Sequence, residues 1–114
     1  MNTNSIAPPA QDAAVLVLTG APSFELGKIV ATPGALAFLG RHGVDPKHIA
    51  RWHEQCQWGS LDKDDVAANH SALKDGSRIF SCYDIGGDKV WVITEAIGED
   101  GSRSCTTLLL ASEY

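Results

Sequence analysis

From Phe24 onward the apolar positions of this chain follow two different periods. FELGKIVAT (residues 24–32) is a short β-prone stretch in which Gly27 marks a bulge or a close backbone approach. Thr32-Pro33 then offers an N-cap followed by proline in the first helical turn, and the apolar run ends at Gly43. Asp45-Pro46 repeats that start signal. Behind it Ile49, Trp52, His53 and Cys56 recur at i, i+3, i+4 and i+7, the stripe of a half-buried helix. A third helix is predicted over roughly 62–75 and is closed by Gly76, with Val66, His70 and Leu73 on one face and Asp62, Asp64 and Asp65 in its first turn.

After Gly76 the period drops to two. RIFSCYDI, KVWVITEA and SRSCTTLLLASEY are separated by the turns GGD and GEDG, which predicts a three-stranded antiparallel meander. The order strand, three short helices, meander predicts an α+β domain over residues 23–114 with its helices packed on one sheet face. Leu36, Leu39, Ile49, Trp52, Leu73, Ile79, Val92 and Leu108 are its predicted core, and Trp91, of opposite parity to Val92, is predicted to be partly exposed. Residues 1–22, rich in Pro, Ser and Asn at the start, read as a flexible tail, although Ala14–Leu18 is β-prone and a candidate to pair with the sheet edge.

Composition narrows the function classes. At 114 residues the chain suits one domain with a modest core. A net charge of −5, with nine scattered basic residues, argues against coating nucleic acid by charge alone. No apolar run approaches the ~20 residues of a membrane span. The N-terminus has no basic stretch before AAVLVL, so no secretory signal is predicted. Cys56, Cys82 and Cys105 are an odd number at unpatterned spacing, which fits reduced thiols and a cytoplasmic setting.

The candidate chemistry sits in the last third of the chain. Arg78, Ser81, Tyr83, Thr94, Glu95, Arg103, Thr106 and Thr107 run through strands that a plain core sheet would fill with apolar residues. His53 with Arg78, Arg103, Thr106 and Thr107 would supply what metal-independent RNA cleavage needs: a base for a 2′-hydroxyl, cations for the phosphate, and orienting hydroxyls. Small toxin ribonucleases of the barnase type look similar in outline. The plainer alternative pairs Arg103 with Glu95 across the hairpin and leaves the threonines as ordinary strand residues. His53 and Cys56 one helical turn apart suggest either a Cys₃His zinc site or an activated thiol. Zinc ligands usually arrive in close pairs, however, and Cys82 and Cys105 are isolated among apolar neighbours.

Residues 24–114 also carry LGKIVATPGAL (26–36), His53…Trp58-Gly59 followed by Asp65 and Asn69, AL-x-x-G-x-RIFS-x-Y (72–83), VWVITEA (90–96) and RS-x-TT-x-LL-x-x-EY (103–114). In these segments the chain resembles a family of short proteins of plasmids and other mobile elements, labelled plasmid-related protein or type I restriction endonuclease subunit M. The resemblance implies no activity. The methylase label also fails on the residues, since no methyl-donor loop and no Asn/Asp-Pro-Pro-aromatic motif is present. In place of the family's His-x-x-Gly-Asp-Trp-Gly, this chain has Cys56 and Gln57 at the Gly and Asp positions.

The sequence therefore predicts a small accessory or regulatory binding protein of a mobile element. Tyr83, Trp91, Glu95 and Asn69 are the candidates for its binding surface, and a protein or a small polar ligand is its partner. A metal-independent ribonuclease is the second reading, and an acidic inhibitor of a host nuclease or defence system the third. Neither a cofactor nor a metal is predicted. Elemental analysis is expected to find no stoichiometric zinc and thiol titration no disulfide. Zinc lost together with secondary structure on chelation would overturn this.

Overall fold

The structure, a computed structural model, describes residues 23–114, so the tail and the Ala14–Leu18 run lie outside the described residues. Strand β1 (Lys28–Ala31) leads into helix α1 (Pro33–Arg41), α2 (Pro46–Glu54) and α3 (Lys63–Asp75). Strands β2 (Ile79–Ile85), β3 (Asp88–Thr94) and β4 (Cys105–Leu110) follow. The start signals act as read. Thr32 Oγ1 accepts from the Ala35 amide at 3.0 Å, Asp45 from Lys47 at 2.9 Å and Asp62 from Asp65 at 2.8 Å. Each side chain thereby satisfies an amide that the first helical turn leaves without a partner. Gly76 ends α3 in the left-handed conformation at φ 83°.

The fold is α+β, as the sequence predicts, with a four-stranded mixed sheet in the order β1-β4-β3-β2. The meander is antiparallel. Its first turn is Gly86-Gly87, both at positive φ, the arrangement that suits a two-residue hairpin loop. What the meander pattern did not foretell is β1, which returns the start of the domain to the sheet as a parallel partner of β4, with Lys28 opposite Cys105 and Ala31 opposite Leu108.

Register places Ile79, Ser81, Tyr83 and Ile85 on the same face as Val90, Val92 and Thr94, and as Thr106, Leu108 and Leu110. On this inner face Phe38, Leu39, Val44 and Ile49 pack with Tyr83, Ile85, Val90, Val92 and Leu108. Full burial of each such side chain contributes about 1.5–3 kcal/mol. A second, smaller cluster joins Trp58, Ala72 and Ile79, flanked by Phe24, Leu61, Val66 and Leu73.

Leu36 departs from the expected core, being 49% exposed. The buried stripe of α1 is Ala35, Phe38 and Leu39, and the helix is rotated so that Leu36 falls on its flank. Trp52 and Leu73 are half-buried, and His70 is exposed because α3 turns Asn69 and Ala72 inward instead. Trp91 is partly exposed, as predicted.

The outer edge of β2 is sealed in two places. The Asn69 carboxamide donates to the Phe80 carbonyl at 2.7 Å and accepts from the Phe80 amide at 3.0 Å. Beside it, the Trp58 carbonyl accepts from the Cys82 amide at 3.1 Å and the Ser60 amide donates to the Cys82 carbonyl at 2.7 Å. Gly59 lies between these last two contacts at φ 78°, where a Cβ would run into the Cys82 carbonyl. Gly87 has a similar φ of 85° with open space around it. In thermal or urea unfolding, Gly87→Ala is expected to cost about 1 kcal/mol for the backbone alone, and Gly59→Ala about 3 kcal/mol or more. Equal losses would mean that the close approach is not what requires glycine at position 59.

Candidate functional site

The polar residues singled out in the strands are divided between the two faces of the sheet. Inside, α2 delivers His53 with no exposed surface to a row of hydroxyls on the inner face. His53 Nδ1 lies 2.6 Å from Ser81 Oγ and Nε2 lies 2.9 Å from Thr94 Oγ1. Thr94 Oγ1 is 2.6 Å from its cross-strand partner Thr106 Oγ1, and Thr106 Oγ1 donates to the Leu26 carbonyl at 2.7 Å.

That last bond orients the whole chain, because each hydroxyl has a single proton. Thr106 spends its proton on Leu26, so it accepts from Thr94. Thr94 in turn accepts from His53 Nε2–H, which leaves Nδ1 to accept from Ser81. The ring is neutral, in the Nε2–H tautomer. Burial, and secondarily the charge of Arg103, holds its pKa down at about 3.

Arg103, only 5% exposed, is part of the same interior. Its guanidinium donates to the carbonyls of Ser77 (2.7 Å), Glu95 (3.0 Å) and Ala72 (3.2 Å), and it lies 5.9 Å from the centre of the Phe24 ring. The partner on residue 95 is thus the backbone carbonyl and not the carboxylate expected for a hairpin ion pair. Through Ala72 the cation also meets the negative end of α3.

Tyr83 is buried too. Its hydroxyl donates to the Gln57 carbonyl at 2.6 Å, and burial pushes the phenol well above its usual value. The Cys56 thiol is raised by burial, which disfavours the thiolate that nucleophilic chemistry needs. Among the described residues no group of His, Cys, Asp and Glu side chains has the geometry to hold a metal ion.

Outside, Arg78, Trp91 and Asn69 come together while Thr107 faces the same way further along, opposite Ile93. A groove of about 330 Å³ opens between the first half of α3 and the outer sheet face. Phe80, Trp91 and Ile93 are in its floor, Asp65, Ala68 and Asn69 are contributed by the helix, and Arg78 and Tyr114 complete it. The rings form a continuous row. Phe80 meets Trp91 edge-on at 5.1 Å between centres, and Trp91 meets Tyr114 at 5.1 Å and 58°. Arg78 Nη2 donates to the Tyr114 hydroxyl at 3.2 Å, a bond that raises the guanidinium pKa further, with a smaller contribution from the charge of Glu95.

The sequence named Trp91, Asn69 and Arg78 as site residues but missed Phe80, Ile93, Ala68 and Tyr114, and read Asp65 only as part of a helix start. The signal for the strand residues was present. Phe80, Trp91 and Ile93 are large apolar residues of the parity that a one-sided sheet leaves polar. Comparison with protein-family models, curated proteins and solved structures finds no match to this chain.

The pH dependence of stability tests the state of His53. Unfolded, the ring protonates near pH 6.5; folded, only near 3. The unfolded chain therefore binds the extra proton in between, so the stability carried by neutral His53 is complete above pH 6.5 and is lost as pH falls toward 3. Unfolding free energy is expected to drop by about 2 kcal/mol from pH 7 to pH 5 on this account. The His53 ring carbons should show no NMR titration in that range. A ring that titrates near pH 6 in the folded protein would contradict the buried neutral state.

Proposed function

We propose that this chain is a small accessory or regulatory binding protein of a mobile genetic element, acting in the cytoplasm and receiving its ligand in the groove between α3 and the outer sheet face. The observation that carries this reading is the aromatic row Phe80–Trp91–Tyr114, left accessible beside Arg78 while Tyr83, the other aromatic side chain of the strands, is turned inward. Ligand pockets are typically mostly apolar concavities with a few placed polar groups, from about 300 Å³ upward. This groove has that make-up.

The ribonuclease reading draws less support. A general base must come within hydrogen-bond reach of the proton it removes. His53 has no exposed surface and both of its nitrogens are engaged, while Arg78 and Thr107 lie on the other face of the sheet. Arg103 is buried with three of its donors on backbone carbonyls. For the inhibitor reading, Asp62, Asp64 and Asp65 occupy one helix start, and Asp62 is committed to capping it.

A fragment screen followed by amide chemical-shift mapping tests the binding reading. Hits are expected to move the amides of Asn69, Phe80, Trp91, Ile93 and Tyr114 as one set. Hits confined to other surfaces, or no hits at all, would count against the groove. RNA cleavage in chelator that is lost in His53→Ala with the fold intact would revive the ribonuclease.

A further inference from the structure

Charge is not spread evenly around the groove. Asp65 is in the first turn of α3, one turn before Asn69, and Asn69 is bonded to Phe80. Arg78 stands immediately before β2, two residues ahead of Phe80, and lines the same groove. The carboxylate and the guanidinium therefore lie towards opposite ends of the groove, and the rings of Phe80 and Trp91 are in the floor between them. Both groups have capacity to spare. The Asp65 carboxylate is used by no hydrogen bond or ion pair among the described residues, and Arg78 places only one of its donors, on Tyr114. The two are not salt-bridged to each other.

Resting on the binding reading above, we propose that the groove takes a compact ligand built as a flat ring with an edge of N–H donors at one end and a single anionic group at the other, the chemistry of a guanine mononucleotide. The ring lies over Ala68 and stacks on one of the Phe80 and Trp91 rings, which stand at 85° to each other, and meets the other at its edge; stacking is worth about 1–3 kcal/mol per base. A carboxylate accepts two parallel N–H donors, which matches Asp65 to the N1–H and N2–H edge of guanine and mismatches it to the N1 acceptor of adenine. The planar guanidinium of Arg78 suits a phosphate.

Charge also sets the length of the ligand. A nucleotide chain continues through its sugar, so further phosphates would gather at the Arg78 end, where the lining has a single cation with the charge of Glu95 acting on it and the chain carries −5 overall. One cation in the groove calls for one anionic group.

The full chain should be titrated by calorimetry and amide-shift mapping with GMP, guanosine, AMP, CMP and inorganic phosphate. GMP is expected to bind about tenfold or more tightly than AMP, CMP or guanosine and to move the groove amides. Asp65→Asn should remove the preference for GMP over AMP, and Arg78→Ala the preference for GMP over guanosine. Both side chains are exposed, so the thermal midpoint serves as a control that each variant is folded. GMP binding no tighter than AMP and guanosine would overturn the ligand class. If fragments of other chemistry still move the same amides, the binding reading survives that result; if nothing occupies the groove, both fall.

Discussion

Five groups from five parts of the chain meet in one line of hydrogen bonds, from Ser81 through His53, Thr94 and Thr106 to the Leu26 carbonyl. The line ties α2 to β2 and β3, crosses to β4, and ends on the segment that feeds β1. Burying a polar group costs free energy unless its donors and acceptors are matched. Here the matching has a direction that begins at the Ser81 proton and ends at a carbonyl. Thr94 faces Thr106 in the register, so a slip of β4 by one residue would put Cys105 or Thr107 in that place and break the link from Thr94 through Thr106 to the Leu26 carbonyl. The line also lies where the two apolar clusters meet, with Ile79 of one opposite Thr94 and Val92 of the other two residues along the same face. An apolar core alone would tolerate several registers, and this line selects one of them.

Because the interior claims His53, Arg103, Thr106 and Tyr83, the outer face keeps the accessible rings of Phe80, Trp91 and Tyr114 and the Arg78 guanidinium. Arg103 and Arg78 show the separation well. They are the same residue type at either end of the meander, yet one is enclosed by three carbonyls and a ring while the other leans on a tyrosine hydroxyl in the open. A guanidinium held by carbonyls stabilises the C-terminal end of α3 and the hairpin it touches. One held by a single hydroxyl keeps most of its donors for whatever arrives.

Much of the fold was legible because it rests on local rules. Three helix starts, the Gly76 stop and the Gly86-Gly87 turn each need only the residues beside them. The parallel return of β1 does not, since it depends on Leu26 reaching Thr106 eighty residues away. The polar residues of the inner face were also visible in the strands, and Ser81, Thr94 and Thr106 all belong to one line as their parity allows. What periodicity could not supply was which face the helices would cover. Helix α2 could bring His53 only to the covered face, so a candidate base became a crosslink. The groove was half visible, through Trp91, Asn69 and Arg78. The rest required knowing that α3 runs along the edge of β2.

Asn69 belongs both to the wall of the groove and to the seal on the sheet. Its carboxamide donates once and accepts once on the backbone of Phe80, while its neighbours Asp65 and Ala68 face the cavity. A guest that levers α3 outward must break both bonds and bare the amide and carbonyl of a strand edge to water or to another chain. Occupancy of the groove and adhesiveness of the sheet are thereby mechanically linked. A guest that fits without moving α3 keeps the protein apart from its neighbours, and one that is too large makes it sticky.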